Sequence, residues 1–420
     1  MRWWALILLG AECLWVLPPS WAQGDPNSEQ TFAGVFASVL VGENPDGGNW
    51  GSPGDYLKAA SGRALPSPEE IRRTLRPPVN EYRLLIVPGF LSACSSTALV
   101  SAPAFQQAQE HLKANHGVDV ALLQVPDDSC ENNGILIAKY LRQHARDGKK
   151  YIVVGHSKGA ADLQAALQDP EAVSAVAALV SVAGAVSGSP VADVAGQPGL
   201  LGNVAISLGC AGKLGPALQS LRVPERRAFL KSHPNPPVPS YSLVAVSDYS
   251  STSQALRATW LLLGAGLRPE DGLLIAADGA LPGARFLGTA LADHVAVAHD
   301  FRNTAFANLF NKGSFPRDAL LEALVRFVIA DLENHSAPGS GRASIKIPSG
   351  NSESFASGKA MKKTRDMQFE PFASPGFADP GVFAGKTPRD GRQTAPCRPN
   401  GLFSGHSPTV LPFTSSPRVV

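Results

Sequence analysis

Residues Lys149–Asp162 read KKYIVVGHSKGAAD. Four strand-forming residues, Tyr151–Val154, run into Gly155-His156-Ser157-Lys158-Gly159, and Ala160 and Ala161 follow. A strand that turns at once into a helix holds the residue at its apex in a strained backbone conformation, so the neighbours must be small. Gly155 and Gly159 meet that need, and the two alanines keep strand and helix close. The pentapeptide alone is weak evidence, because the chain has 40 glycines in 420 residues. A second Gly-His-Ser, at Gly405–Ser407, is followed by Pro408, with no strand before it and no helix after it. The surrounding rhythm separates the two.

That rhythm runs in both directions from Ser157. Upstream, YRLLIVPGF (82–90) reads as a strand ending at Pro88-Gly89. PAFQQAQEHLKANHG (103–117) reads as a helix closed by Gly117, VDVALLQV (118–125) as a strand, and ENNGILIAKYLRQHARDG (131–148) as a helix ending at Gly148. Downstream, AADLQAALQ (160–168) is helical and VAALVSVAG (176–184) is a strand. Residues 186–240 lose the pattern in Gly- and Pro-rich sequence and read as a long loop or cap-like insertion. YSLVAVSD (241–248) and ARFLG (284–288) are later strands, TSQALRATWLLLGAG (252–266) is an apolar helix or part of the cap, and DALLEALVRFVIADLEN (318–334) is a closing helix. Short apolar strands alternating with helices predict an α/β fold, a mostly parallel sheet covered on both faces.

The ends differ. Residues 1–22 carry one Arg, an apolar run from Trp3 to Leu17, Pro18-Pro19 and the small residues Ser20 and Ala22. This layout predicts a signal peptide cleaved after Ala22 and a secreted or periplasmic protein. The run is too interrupted to span a bilayer, which needs roughly 20 apolar residues, and no later stretch reaches that length. Residues 23–80 read as an N-terminal extension with one helix, SPEEIRRTL, capped by Ser67. The main domain spans 81–335, and the Ser-, Gly- and Pro-rich tail 336–420 reads as disordered. The net charge of +2, with no basic block, excludes a nucleic-acid partner. A mature chain retains Cys94, Cys130, Cys210 and Cys397, which export allows to pair. No Cys-x-x-Cys pair is present, so a structural zinc site is not expected.

From Glu81 to Asn334 the chain resembles the α/β-hydrolase superfamily, above all its lipases and esterases, with Gly155–Gly159 matching the nucleophile elbow. The resemblance implies an eight-stranded, mostly parallel sheet and a triad in the order serine, acid, histidine. Ser157 is then the nucleophile. His294, in FLGTALADHVAVAHD after the last short strand, matches the histidine loop, with His299 as its rival; His233, His335 and His406 are poorly placed. Asp271, in RPEDGLL, resembles the acid-Gly loop of bacterial lipases. Asp248 competes because it directly ends a strand, and Glu270 and Asp293 are weaker options. The oxyanion donors implied are the amides of Lys158 and Phe90, with Leu91 next, although Pro88-Gly89 stands where many relatives have His-Gly. The Lys158 side chain is expected in solvent. In this fold Cys94 and Cys130 follow neighbouring strands, so a disulfide between them would brace the oxyanion loop.

These residues predict a serine esterase or lipase that forms an acyl-enzyme on a small or lipid-like ester and needs no metal or organic cofactor. An acyltransferase with the same triad and a non-catalytic hydrolase-like binding protein are the alternatives.

Overall fold

The computed structural model describes residues 26–59, 79–90, 102–145, 148–195, 215–264, 266–310 and 314–336. The predicted signal peptide, the helix predicted from Ser67, Cys94, Cys210 and the tail beyond 336 lie outside these residues.

Seven strands form one sheet: β1 (Leu57–Lys58), β2 (Arg83–Val87), β3 (Asp119–Leu122), β4 (Tyr151–His156), β5 (Val176–Val182), β6 (Ser240–Ala245) and β7 (Arg285–Ala290). Their order is β1-β7-β6-β5-β4-β2-β3, with every pair parallel except β1 against β7. The superfamily resemblance implies eight strands; the described residues contain seven. Period-two alternation explains the two-sided burial. Leu84, Ile86, Ile152 and Val154 face one core, while Leu85, Val87, Tyr151 and Val153 face the other.

The first core lies under helices α1 (Pro26–Gly42), α2 (Gln106–His116) and the late helix Arg317–Ser336. The second lies under α3 (Cys130–His144) and α4 (Lys158–Ala166). Each helix covering these faces has a local reason to start or stop where it does. Ser129 caps α3 by accepting from the Asn132 amide at 3.2 Å, and Gly117 ends α2 in the left-handed conformation, φ 64°. Within 186–240 the described part holds the short helices Pro190–Ala195, α5 (Gly215–Ser220) and α6 (Val223–Ser232). Beyond them come α7 (Arg257–Leu263) and α8 (Arg317–Ser336).

The segment read as an N-terminal extension is built into the domain. Phe32, Val35, Phe36 and Val39 of α1 are buried in the first core, and Phe32 meets Phe327 of α8 edge-on at 5.8 Å. Asp46, just beyond α1, accepts from the amides of Asp318 (3.1 Å) and Ala319 (2.9 Å) in the first turn of α8. The sequence hides α1 because PNSEQTFAGVFASVLVG has no polar face after its first turn. A helix apolar on nearly all sides shows no amphipathic period. β1 is two residues long, too short for any pattern to announce it.

The order of strands also locates the site. The chain runs from β2 outward to β3, then crosses to place β4 on the other side of β2. At such a reversal the loops leaving the two adjacent strands part in opposite directions and leave a crevice at the carboxyl edge. β4 ends there at Ser157, and β2 ends there at Pro88-Gly89-Phe90.

Candidate active site

Ser157 joins β4 to α4 with φ 56° and ψ −125°, a conformation costly for a side-chain-bearing residue. Its neighbours leave no room for anything larger than hydrogen. A Cβ on Gly155 would stand 2.5 Å from Ala160 Cα, and one on Gly159 would stand 2.1 Å from the Val87 carbonyl oxygen. A Cβ on Gly89 would lie 2.6 Å from Ser157 Cβ, so the loop after β2 passes directly over the serine. The Ser157 amide donates to Val182 O at 3.2 Å and its carbonyl accepts from Ala185 N at 3.0 Å, which ties the strained turn to β5.

The structure brings Ser157, His294 and Asp271 together. His294 Nε2 lies 2.7 Å from Ser157 Oγ, and His294 Nδ1 lies 2.7 Å from Asp271 Oδ2. A carboxylate only accepts, so Nδ1 carries the ring proton and Nε2 presents a lone pair to the serine hydroxyl. Asp271 is held by its own turn: Oδ1 accepts from the amides of Leu273 (2.9 Å) and Leu274 (2.7 Å). The His294 amide donates to Asp271 O at 2.8 Å, so backbone and side chain of the acid both fix the histidine. His294 and Asp271 are buried, while Ser157 is partly exposed.

The rivals fall elsewhere. Asp248 is exposed and caps its own turn, accepting from Ser250 Oγ (2.6 Å) and Ser251 N (2.7 Å), bonds that hold its carboxyl below the usual range. Glu270 is tied to Gly266 N at 3.2 Å. Asp293 is buried, which raises its pKa, and shapes the histidine loop instead of orienting the ring. It accepts from Val295 N (3.0 Å), Ala296 N (2.8 Å) and Ser253 N (2.8 Å).

His299 is buried, and its Nδ1 lies 2.7 Å from Ala102 O; burial lowers its pKa to about 4. His156, the variable residue before the serine, went unassigned in the sequence. Its Nε2 donates to His294 O at 2.9 Å, and burial, then the nearby His294 and His299, holds it well below the usual imidazole range. A neutral ring thus braces the histidine loop without adding positive charge beside His294. The one signal for this in the sequence was its position inside the pentapeptide.

Phe90 stands on the loop over Ser157, while Leu91 lies outside the described residues. Lys158 opens α4, where the first N–H groups have no helical acceptor. Its side chain corrects the expectation of a solvated lysine. Only 2% exposed, it makes a 2.5 Å ion pair with Asp162 one turn along α4. Asn133 Nδ2 donates to the other Asp162 oxygen at 3.0 Å, and the neighbouring buried Arg226 reaches Val186 O (3.1 Å) and Gln164 Oε1 (2.5 Å). The intrahelical partner four residues on draws the ammonium inward.

The predicted Cys94–Cys130 disulfide is also corrected. Cys130 is a free, buried thiol at the start of α3, packed with Ala161, Ala185, Leu221 and Leu274. Ser220 Oγ donates to its sulfur at 3.4 Å, and burial pushes its pKa up to about 12. The side chain is part of the packing between α3, α4 and α5 and so is not presented to a loop.

Sheet order, elbow and crevice give the chain the α/β-hydrolase fold. No family profile and no curated protein matches the sequence. Among solved structures the chain is similar to a metagenomic carboxyl esterase, at 29% identity and a TM-score of 0.59, over 72% of this chain and 92% of that one. It is also similar to the mature lipase BlEst2 of Bacillus licheniformis, at 22% identity and a TM-score of 0.40, over 51% and 85% of the two chains. A thioesterase of prodiginine biosynthesis from Streptomyces coelicolor aligns at 22% identity and a TM-score of 0.35, over 64% and 96%. No helix among the described residues is long and apolar enough to cross a membrane.

Proposed function

We propose that the chain is a serine hydrolase of carboxylic esters, with Ser157, His294 and Asp271 as its catalytic triad. The observation that carries this reading is the single His294 ring bridging Ser157 Oγ and Asp271 Oδ2, at 2.7 Å to each. The likeness to a carboxyl esterase supports the ester class.

In this mechanism Ser157 Oγ attacks the ester carbonyl carbon as His294 Nε2 takes its proton. Asp271 holds the ring and stabilises the imidazolium. The carbonyl oxygen becomes an oxyanion facing the amides of Lys158 and Phe90. His294 then returns the proton to the departing alcohol, leaving the acyl group on Ser157. Water, deprotonated by His294, releases the acid and restores the serine. The neutral His156 braces the His294 loop from behind. The substrates are small or lipid-like esters, and the N-terminal layout supports export with cleavage after Ala22.

Fluorophosphonate labelling and hydrolysis of short-chain nitrophenyl esters test the reading. Ser157→Ala abolishes both. Asp271→Asn leaves the protein folded and lowers kcat by about 10⁴, because the amide favours the wrong tautomer of His294. Asp248→Asn stays near the parent rate. Equal effects of the two substitutions would remove Asp271 from the triad, and labelling that survives Ser157→Ala would remove the serine.

A further inference from the structure

A second cluster of chemically competent side chains lies apart from the Ser157 site and shares no residue with it. Glu43, just beyond α1, His111 and His116 of α2, and Glu322 of α8 each aim one ligand atom at a common point, all within 4.8 Å of one another. His111 Nε2 lies 3.3 Å from Glu322 Oε2, and His116 Nε2 lies 3.4 Å from Glu322 Oε1. Tetrahedral zinc bonds of about 2.0–2.1 Å to nitrogen and oxygen set ligand atoms about 3.4 Å apart, close to these two distances, while the whole set spreads to 4.8 Å and must draw in around a cation.

A further observation points to a cation. Glu322 is fully buried, yet its Oε2 has no hydrogen-bond partner, and neither does the buried His111 Nε2 that faces it. The two atoms thus stand 3.3 Å apart without the alignment of a hydrogen bond. The Asn115 side-chain amide lies 2.8 Å from His111 Nδ1; with its oxygen turned to that nitrogen it accepts from Nδ1–H and leaves the Nε2 lone pair for a cation.

We propose that these residues form a divalent-cation site of the zinc class, a clamp joining the end of α1 to α2 and α8. The absence of Cys-x-x-Cys pairs argues only against cysteine-based zinc; imidazole and carboxylate ligands drawn from α2, α8 and the turn after α1 leave no linear motif. Arg326 is the competitor. Its Nε and Nη2 lie 2.8 and 2.7 Å from Glu322 Oε1, and Nη2 also stands 3.2 Å from His116 Nε2 and 3.7 Å from Glu43 Oε1. A bound cation displaces Nη2 from His116 and Glu43 and leaves the guanidinium on Glu322 Oε1. Its positive charge weakens the site without filling the side towards His111.

The test uses the full chain, stripped with chelator and titrated with zinc chloride. Calorimetry and metal analysis are expected to give one zinc per chain, and a hundredfold excess over Kd raises Tm by about 5 °C. His111→Ala and His116→Ala each weaken binding at least tenfold and erase most of the Tm shift, whereas Arg326→Met tightens binding. Cobalt(II) gives the intense visible absorption of a tetrahedral site in the parent protein, a readout that survives if the histidine variants do not fold. Substoichiometric zinc, an unchanged Tm shift in the histidine variants, or a six-coordinate cobalt spectrum overturns the proposal and leaves the cluster as an ion-pair network around Arg326.

Discussion

Replacing Lys158 with methionine separates the two roles that one residue combines beside Ser157. The amide opens α4 next to Ser157, while the side chain is buried against Asp162. Methionine keeps the amide and most of the volume and removes the charge. Asp162, 1% exposed, is then left with Asn133 Nδ2 as its strongest side-chain partner. Breaking one side of a buried ion pair costs about 3–5 kcal/mol, which lowers Tm by roughly 6–20 °C in a domain of this size. Adding Asp162→Leu removes the stranded carboxylate; Asn133 Nδ2 keeps its bond to Pro126 O at 2.9 Å, so much of the loss returns. The sign with pH is fixed. Burial already raises the Asp162 pKa against the pull of Lys158. Without the lysine the folded-state pKa rises further above the unfolded value, and stability is lost as pH climbs through it. The Lys158→Met deficit is therefore larger at pH 8 than at pH 5. Urea titrations of the parent, both single variants and the double variant supply the cycle, and ester hydrolysis supplies the activity. A Lys158→Met loss below about 1 kcal/mol, or strictly additive singles, refutes the energetic argument. A hundredfold fall in kcat with stability intact shows that the side chain, and not the amide, serves the reaction.

Gly159→Ala places a methyl group 2.1 Å from the Val87 carbonyl oxygen and is expected to fold poorly or lose at least about 3 kcal/mol, read by urea titration; a stable, active variant would show that the elbow can relax. Burial keeps His156 and His299 neutral, so both imidazoles stay uncharged from pH 8 down to pH 6 by NMR. Both folded-state pKa values lie below the unfolded one, so stability is present above about pH 6.5 and is lost as pH falls towards 4. Replacing His299 with leucine flattens that part of the stability profile, whereas an unchanged acid limb would place its origin elsewhere.

Much of the architecture is legible in the linear sequence. Tyr151–Val154 alternates between two cores, and the glycines around Ser157 answer a space in which a Cβ on Gly159 would stand 2.1 Å from Val87 O. Local patterns of this kind record steric requirements between residues close in the chain, so a reader of the sequence recovers them. Ser157 and His294, which meet at 2.7 Å, follow from the same local logic and from chain order. α1 was not legible, because an almost fully buried helix has no polar stripe to set its period.

What the sequence determined by itself was the run of strands and helices and the strained turn that presents Ser157. Those depend on side-chain size, propensity and spacing over a few residues. Tertiary structure alone decided the rest. It selected Asp271 over Asp248 as the partner of His294, turned Lys158 inward to Asp162, kept Cys130 as a free thiol, and gathered His111, His116, Glu322 and Glu43 at one point. Each of these outcomes depends on where a side chain meets residues from another turn or element, and on what burial does to its charge. Neither is fixed until the sheet closes and the helices dock.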